Sequence, residues 1–211
     1  MDTKKTVQKY LEELSSNSPT PGGGNVAALC GSLSASLGTM VCNLTIGKKK
    51  YADIESEMTA LKEKLSSYID KFITLGKNDN EAFERVLDAF KLPKETDEQK
   101  RLRNEAIEKS TLEAAYVPAE VIKNCREVIP LLEIIANKGN QNSLSDVGVA
   151  VAVISAASEG AFLNVLINYS SLTEKQKAAD LLMRADNLNN EVKEEAQILL
   201  SEIKSKLRGS K

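Results

Sequence analysis

The sequence predicts an all-α protein, an antiparallel bundle of about six long and partly kinked helices. Three observations support this prediction. Ala, Leu, Ser, Lys and Glu dominate the composition, which favours helix. Apolar residues recur at helical spacing along most of the chain, and the alternation typical of half-buried strands is not found. Two predicted helices carry hardly any charge and therefore need cover all round, which neighbouring helices in a bundle supply.

The first predicted helix covers residues 3–15 and leads into a tight turn with the sequence SPTPGGG. Gly22, Gly23 and Gly24 allow backbone conformations that other residues disfavour. Asn25 is expected to cap the helix that follows. Unpaired backbone N–H groups before a helix can bind anions or carbonyl oxygens, so this turn is either a binding loop or only a bend in the chain.

The second predicted helix, from Val26 to Ile46, contains no charged residue. Its length would suffice to span a membrane, but the Ser, Thr and Asn side chains along it make that interpretation unfavourable. We therefore predict a buried helix that is covered by other helices and by a second subunit. A local basic cluster follows this helix, namely Lys48, Lys49, Lys50 and Tyr51.

The third predicted helix opens at Asp53 and carries one continuous apolar stripe, on which Asp79 lies. A core-facing carboxylate is unfavourable unless it is paired or hydrogen-bonded. Asp79 is therefore either a structural group held by a lysine or a helix N-terminus, or a carboxylate that faces a ligand pocket. Pro93 ends this helix, and Lys94 lies just beyond it.

The fourth predicted helix begins with a capping box formed by Thr96 and Gln99. Pro118 and Pro130 lie inside it, so kinks or a break are expected rather than one straight rod. Gly139 ends it. The third and fourth helices are therefore expected to form an antiparallel pair.

A polar junction with the sequence GNQNSLSD, which includes Asn142, precedes the fifth predicted helix. Asp146 either caps that helix or supplies a second functional carboxylate. A row of small residues at every fourth position ends in Asn164 and Asn168, whose amides can bind a planar heterocycle. Thr173 is expected to cap the last helix, which is clearly amphipathic.

Composition narrows the possible functions. The chain has enough residues for one domain, 1–211, and its net charge of −2 with interleaved lysines and acids gives no nucleic-acid footprint. Histidine is absent, so imidazole bases are excluded and no metal site is predicted. Cys30 and Cys42 would lie about 18 Å apart on one helix, which favours reduced thiols. With no apparent signal segment, a cytoplasmic protein is predicted.

Several longer motifs occur in order along most of the chain. They are SPTPGGG with LTIGKKKY, DNEAF with VLDAFKLPK, GNQNSLSDVGVA, and GAFLNVLIN. This combination resembles the formimidoyltetrahydrofolate cyclodeaminase / methenyltetrahydrofolate cyclohydrolase family, with Asn80 as a departure inside the DNEAF segment.

The resemblance implies a folate one-carbon enzyme. A cyclodeaminase lets N10 of N5-formimidoyl-tetrahydrofolate attack the formimidoyl carbon and expels ammonia, which leaves the N5,N10-methenyl bridge. A cyclohydrolase opens that bridge with water to give the N10-formyl form. Both reactions pass through a tetrahedral carbon, and neither needs a cofactor beyond tetrahydrofolate as the substrate carrier. Cyclodeaminase is the first prediction, and cyclohydrolase is the alternative.

Candidate residues follow from these chemical requirements. Without histidine, Asp79 and Asp146 are the candidates for proton transfer and for holding the cationic bridge. The lysine cluster suits the anionic glutamate tail. The other predicted substrate-binding residues are Gly22, Gly23, Gly24, Tyr51, Phe83, Lys94, Asn142 and Asn164. The predicted partners are the folate and a second copy of the chain, without nucleic acid or membrane. The rival interpretation is a non-catalytic helical scaffold whose polar clusters are only caps and ion pairs.

Overall fold

The computed structural model describes residues 4–209, which form helices and turns and contain no strand. Short 3₁₀ turns at Lys49–Ile54, Gln141–Ser143 and Lys175–Ala178 precede the third, fifth and sixth helices. The prediction of an all-α bundle is confirmed. In chain order, the helices are α1 (Val7–Leu14), α2 (Gly23–Thr45), α3 (Glu55–Phe90), α4 (Asp97–Lys138), α5 (Leu144–Ser171) and α6 (Ala179–Leu207).

The long helices alternate in direction because short connections join them. Helix α2 packs against α3, α4 and α5, and α6 covers α4 and α5. Contacts between α2 and α5 show the antiparallel arrangement, since Ser34 Oγ donates to the Ala150 carbonyl at 2.8 Å while Gly23 lies beside Asn164. The start of α2 therefore shares one end of the bundle with the ends of α3 and α5. We call this the pocket end, and the opposite one the far end.

Three glycines spaced seven residues apart in α2 each face a larger side chain of α3. The pairs are Gly24 with Asp79, Gly31 with Phe72, and Gly38 with Leu65. A Cβ atom at Gly31 would lie 2.8 Å from Phe72 Cγ, and real Cβ contacts essentially never fall below 3.0 Å. The missing side chains let the two helices approach closely. Asp79 therefore occupies the same register in α3 as two buried core residues.

Two of the predicted N-cap residues do not cap their helices. Helix α2 begins at Gly23 with Gly22 as its N-cap, so the prediction that Asn25 caps it was wrong. Asn25 lies fully buried in the first turn, where its side chain bonds to neighbouring elements. Thr173 does not cap α6, because that helix begins at Ala179 and the Thr173 backbone N–H donates to Glu108 instead.

Helix α4 is one element of 42 residues and contains both Pro118 and Pro130 without a break. The predicted capping box is present at its start, where the Thr96 side chain accepts from the Gln99 N–H and the Gln99 side chain accepts in return. Helix α4 can therefore contribute to both ends of the bundle.

A broad apolar surface runs along the adjoining sides of α2 and α5. It consists of the exposed residues Leu33, Met40, Leu44, Val149, Leu163 and Ile167, and we call it the α2–α5 face. Two segments, Gly23–Thr45 and Gln141–Ser171, are long and apolar enough to cross a membrane by length and composition. A core helix passes the same test, and 56% of the most apolar part of the first segment is buried.

Candidate active site

A pocket of about 420 Å³ opens at the pocket end of the bundle, between the start of α2 and residues of α3, α4 and α5. Its walls include the glycine turn, apolar side chains of α3 and α4, and a small polar group. Asp79 is the only charged residue among the described residues that line the pocket. The polar side chains that line it with Asp79 are Thr20, Thr111, Asn164, Asn168 and Ser171.

The Asp79 carboxylate lies against the N-terminus of α2, beside Gly24. Burial raises the pKa of this carboxyl above its ordinary value, while a hydrogen bond from the Asn25 backbone N–H acts in the opposite direction. A carboxyl group in such a place can exchange protons nearer neutral pH than an exposed one. Asp79 is therefore equipped both for proton transfer and for holding a positive charge.

Two asparagines of α5 each offer a free hydrogen-bond acceptor to the pocket. Asn164 Nδ2 donates to the Gly160 carbonyl at 2.8 Å, and Asn168 Nδ2 donates to the Asn164 carbonyl at 2.9 Å. These bonds within α5 leave both Oδ1 atoms without a partner among residues 4–209. The pocket therefore suits a ligand that carries N–H groups and positive charge.

Thr111 of α4 completes the polar part of the wall. It is only 4% exposed, and its hydroxyl has no hydrogen-bond partner within the described part of the chain. Since no buried side-chain oxygen in the described structure lacks a partner, this hydroxyl opens to the pocket and is available to donate to or accept from a ligand. Sequence reasoning missed Thr111 because it lies inside a long helix with no motif around it, and only the packing of α4 on α3 brings it to Asp79.

Apolar and aromatic residues form the remaining wall. Phe83 and Phe90 line it from α3, and they are 40% and 51% exposed. Ile107 and Ile167 continue the wall from α4 and α5. Flat, partly open walls of this kind are typical of sites that bind ring systems. Phe83 was predicted as a substrate-binding residue, and it lies in the same pocket as Asp79.

A second groove of about 560 Å³ adjoins this pocket and shares Ile107 and Ser171 with it. Its charged side chains already have structural partners, since Lys177 pairs with Glu174 at 2.6 Å and Glu108 accepts from two backbone N–H groups. The pocket that holds Asp79 and the glycine turn is therefore the better candidate for chemistry. Within residues 4–209, no group of three Cys, Asp or Glu side chains is placed to hold a metal ion.

The remaining predicted site residues do not line this pocket. Lys48, Lys49 and Lys50 are exposed at the far end, beyond the last residue of α2, a helix of 23 residues or roughly 34 Å. Lys94 lies near the pocket, in the exposed connection between α3 and α4, but it is not part of the lining.

Tyr51, Asn142 and Asp146 also lie at the far end. Tyr51 Oη accepts a hydrogen bond from the Gln141 N–H at 3.2 Å, which joins the lysine cluster to the junction before α5. Asp146 lies in the first turn of α5. The predicted catalytic and substrate-binding residues therefore do not all lie in one place within a single chain, because successive antiparallel helices carry their junctions to alternate ends.

Comparison with known proteins gives consistent matches over the whole fold. A family profile described as formiminotransferase-cyclodeaminase matches residues 6–187. A methenyltetrahydrofolate cyclohydrolase of Methylorubrum extorquens is 40% identical over 207 residues, which cover 98% of this chain and 100% of that protein. A formimidoyltransferase-cyclodeaminase of Sus scrofa is 31% identical over 96% of this chain, which spans only 37% of that longer protein.

A solved structure agrees with these sequence matches. The crystal structure of a formiminotetrahydrofolate cyclodeaminase from Thermotoga maritima has a TM-score of 0.86 and 27% sequence identity. The match covers 97% of this chain and 98% of that one. On the family profile and the identity of its relatives, this chain belongs to the formiminotransferase-cyclodeaminase family.

Proposed function

We propose that this protein is a folate one-carbon enzyme that cyclises N5-formimidoyl-tetrahydrofolate to N5,N10-methenyl-tetrahydrofolate and releases ammonia. The proposal rests on the pocket, where Asp79 is the one carboxyl group in the described lining and its pKa is raised. The free Oδ1 atoms of Asn164 and Asn168 line the same pocket. A protonated formimidoyl group is a cation with N–H donors and is complementary to that arrangement. The names of the relatives support the same substrate class.

Asp79 performs the proton transfers in this proposal. As N10 attacks the formimidoyl carbon, a C–N bond forms and the Asp79 carboxylate takes the proton from N10. The tetrahedral carbon then loses its amino nitrogen, which receives the proton from Asp79 and leaves as ammonia. The charge of the substrate cation remains on the methenyl bridge, where the regenerated carboxylate stabilises it.

The other pocket residues bind and orient the folate. The Oδ1 atoms of Asn164 and Asn168 accept from N–H groups of the ring or of the formimidoyl group, and Thr111 adds a hydroxyl. Phe83 packs against the ring system, and the turn at Gly22, Gly23 and Gly24 allows close approach of the ligand to the backbone. The proposed reaction needs no cofactor beyond tetrahydrofolate as the substrate carrier.

The second candidate reaction is hydrolysis of the methenyl bridge to N10-formyl-tetrahydrofolate. It is favoured by the 40% identity with the Methylorubrum extorquens cyclohydrolase over that protein's full length. The same residues serve both reactions, since Asp79 as a carboxylate can take a proton from the attacking water and return it to N5 when the C–N5 bond breaks. The remaining hydroxyl proton of the tetrahedral carbon passes to solvent as the formyl C=O bond forms.

Incubating the purified protein separately with each folate and following the methenyl absorbance tests the proposal. Faster appearance of the band from formimidoyl-tetrahydrofolate supports the cyclodeaminase. Faster loss of the band from methenyl-tetrahydrofolate supports the cyclohydrolase. Folate binding without either change supports the non-catalytic module and refutes the proposed function.

We further propose that the protein works as a homodimer through the α2–α5 face. This face is apolar and adjoins the pocket at Ile167. In a two-fold dimer with antiparallel α2 helices and an axis near Leu37, Lys48 to Tyr51 of one chain would face the glycine turn of the other. The lysines would then reach the glutamate tail of a folate bound in the partner's pocket.

The same arrangement gives a place to the other far-end candidates. Asn142 and Asp146 would approach the partner's pocket together with Tyr51, to which their junction is bonded. Asp146 therefore remains the second candidate for proton transfer, and Lys94 remains a candidate for the tail on its own chain. The three cysteines are free thiols, which fits the proposed cytoplasmic location.

A further inference from the structure

A hydrogen-bonded chain outside the pocket links three helices behind Asp79. Tyr10 Oη of α1 donates to Asn25 Oδ1 at 2.9 Å. Asn25 Nδ2 in turn donates to the Gly76 carbonyl at 2.7 Å and to Asn80 Oδ1 at 3.2 Å, both in α3. The Asn25 side chain is fully buried, and so is its bond to the Gly76 carbonyl, whereas its bonds with Tyr10 and Asn80 are partly buried.

Asn25 contacts the turn of α3 that carries Asp79 from two sides. Gly76 comes three residues before Asp79 and Asn80 one residue after it, and the Asn25 side chain binds both. The Asn25 backbone also interacts with the Asp79 carboxyl, and this interaction lowers the pKa of that group. One residue of α2 therefore binds the turn of α3 that carries Asp79 on either side of this residue.

Tyr10 is the only described partner of Asn25 Oδ1, and it comes from a helix that is otherwise weakly attached. Helix α1 has no buried residue, and its apolar residues Val7 and Leu11 are 77% and 54% exposed. The hydroxyl of Tyr10 nevertheless reaches the interior. Without it, Asn25 would retain a buried acceptor with no partner, which favours rearrangement of the amide.

We propose that Tyr10 and Asn25 are positioning residues that hold Asp79 in its reactive orientation, and that α1 serves the pocket through this contact. This proposal rests on the proposed catalytic role of Asp79. Neither side chain lines the pocket, so both act through Asp79 and not on the folate. The role of Asn80, a departure from the family pattern, is then to accept one of the bonds that hold the turn.

The test compares Tyr10→Phe with Tyr116→Phe, which removes a hydroxyl from a side chain 51% exposed on α4. Tyr10→Phe is expected to lower kcat by about tenfold or more, since small misplacements of a catalytic group are costly. KM should change by less than about twofold, because uniform binding of the folate is retained. Tyr116→Phe should leave both constants at wild-type values, and Asn25→Ala should reproduce the effect of Tyr10→Phe if it folds.

A second measurement does not depend on turnover. The pKa of Asp79 can be followed by carbon NMR of its carboxyl, assigned by the signal that Asp79→Asn removes. Looser contact with the Asn25 N–H should raise this pKa further in Tyr10→Phe, because that hydrogen bond favours the ionised form. Among residues 4–209, the titratable groups that interact with this cluster are Tyr10 itself and Cys30, and α4 and α5 contribute none to the pocket lining.

The outcomes separate this proposal from the proposed function. A raised pKa together with a lower kcat at constant KM supports the positioning role. An unchanged pKa overturns it, whether or not the wild-type protein converts either folate. A raised pKa with unchanged kcat in an active enzyme overturns it as well. Absence of wild-type turnover refutes the proposed function alone, and the titration still decides whether Tyr10 orients Asp79.

Discussion

Replacing Gly24 by alanine is predicted to disable the pocket while leaving the protein folded. A Cβ atom at this position would lie 2.6 Å from Asp79 Cγ and 2.8 Å from Oδ2, inside the 3.0 Å below which real Cβ contacts are essentially never seen. Both backbones are helical there, so the carboxyl group has to give way by several tenths of an ångström. It would move away from the N-terminus of α2, where its interaction with the Asn25 backbone lowers its pKa.

The expected loss follows from this displacement. A catalytic group misplaced by about 1 Å loses on the order of a hundredfold in rate, which corresponds to about 2.7 kcal/mol in the barrier. A smaller shift gives a smaller loss, so kcat of Gly24→Ala should fall between about tenfold and a hundredfold. Alanine is favoured over glycine in a helix by up to about 1 kcal/mol, which offsets part of the steric cost to folding.

The assay measures turnover and the thermal midpoint on the same preparation. Gly160→Ala is the matched control, since a Cβ there would meet Ala27 Cβ at an ordinary contact distance of 3.4 Å and Gly160 does not line the pocket. The control should keep wild-type turnover. Turnover within twofold of wild type in well-folded Gly24→Ala would show that Asp79 tolerates displacement, and it would contradict a role that depends on the exact position of this carboxyl group.

Three further predictions concern the charge of Asp79, the lysines and the subunit contact. Asp79→Asn should lower turnover by about a hundredfold or more. Burial raises the pKa of Asp79, so the contribution of this group to stability falls as the pH rises through that pKa. The asparagine variant should therefore melt no lower than wild type at pH 7. A lower melting midpoint with near-normal turnover per folded molecule would instead indicate a structural carboxylate. Alanine at Lys48, Lys49 and Lys50 should weaken binding of long-tailed folates more than of monoglutamates, and added salt should mimic the change; equal weakening of both would contradict a role in tail binding. Leu33→Glu should convert the dimer into monomers in sedimentation experiments, because it places a charge in the α2–α5 face. If the wild-type protein is a monomer at micromolar concentration, the proposed dimer is contradicted.

Much of the fold could be predicted from periodicity and stop signals. The helix that ends near Pro93, the capping box at Thr96 and the stop at Gly139 all lie where local chemistry requires them. Whether the two prolines break α4 was harder to predict, since packing against neighbouring helices can keep a long helix continuous across a residue that disfavours helix. The start of α2 was misjudged because Asn25 is a good capping residue in isolation, whereas tertiary partners use its side chain here.

The pocket was only partly predictable for a different reason. Asp79 was identifiable because a carboxylate interrupts an apolar stripe, and that signal is local to one helix. Thr111 gave no such signal, since its place depends on how α4 packs against α3. Lys48 lies at the opposite end of the bundle from the pocket because of the length and direction of α2. Short sequence motifs do not show which end of a bundle a helix junction reaches.

The seven-residue spacing of Gly24, Gly31 and Gly38 has a consequence for how such a site can arise. Each glycine with its partner in α3 forms one layer of a repeating stack, and only the terminal layer at Asp79 opens to a pocket. A reactive side chain in the terminal layer therefore faces the pocket in a position where the inner layers hold an apolar side chain. The inner layers at Phe72 and Leu65 keep the two helices packed together. In protein engineering, the side chain at position 79 could be replaced by another reactive group. The glycine opposite it leaves room for that group, and the rest of the bundle need not be redesigned.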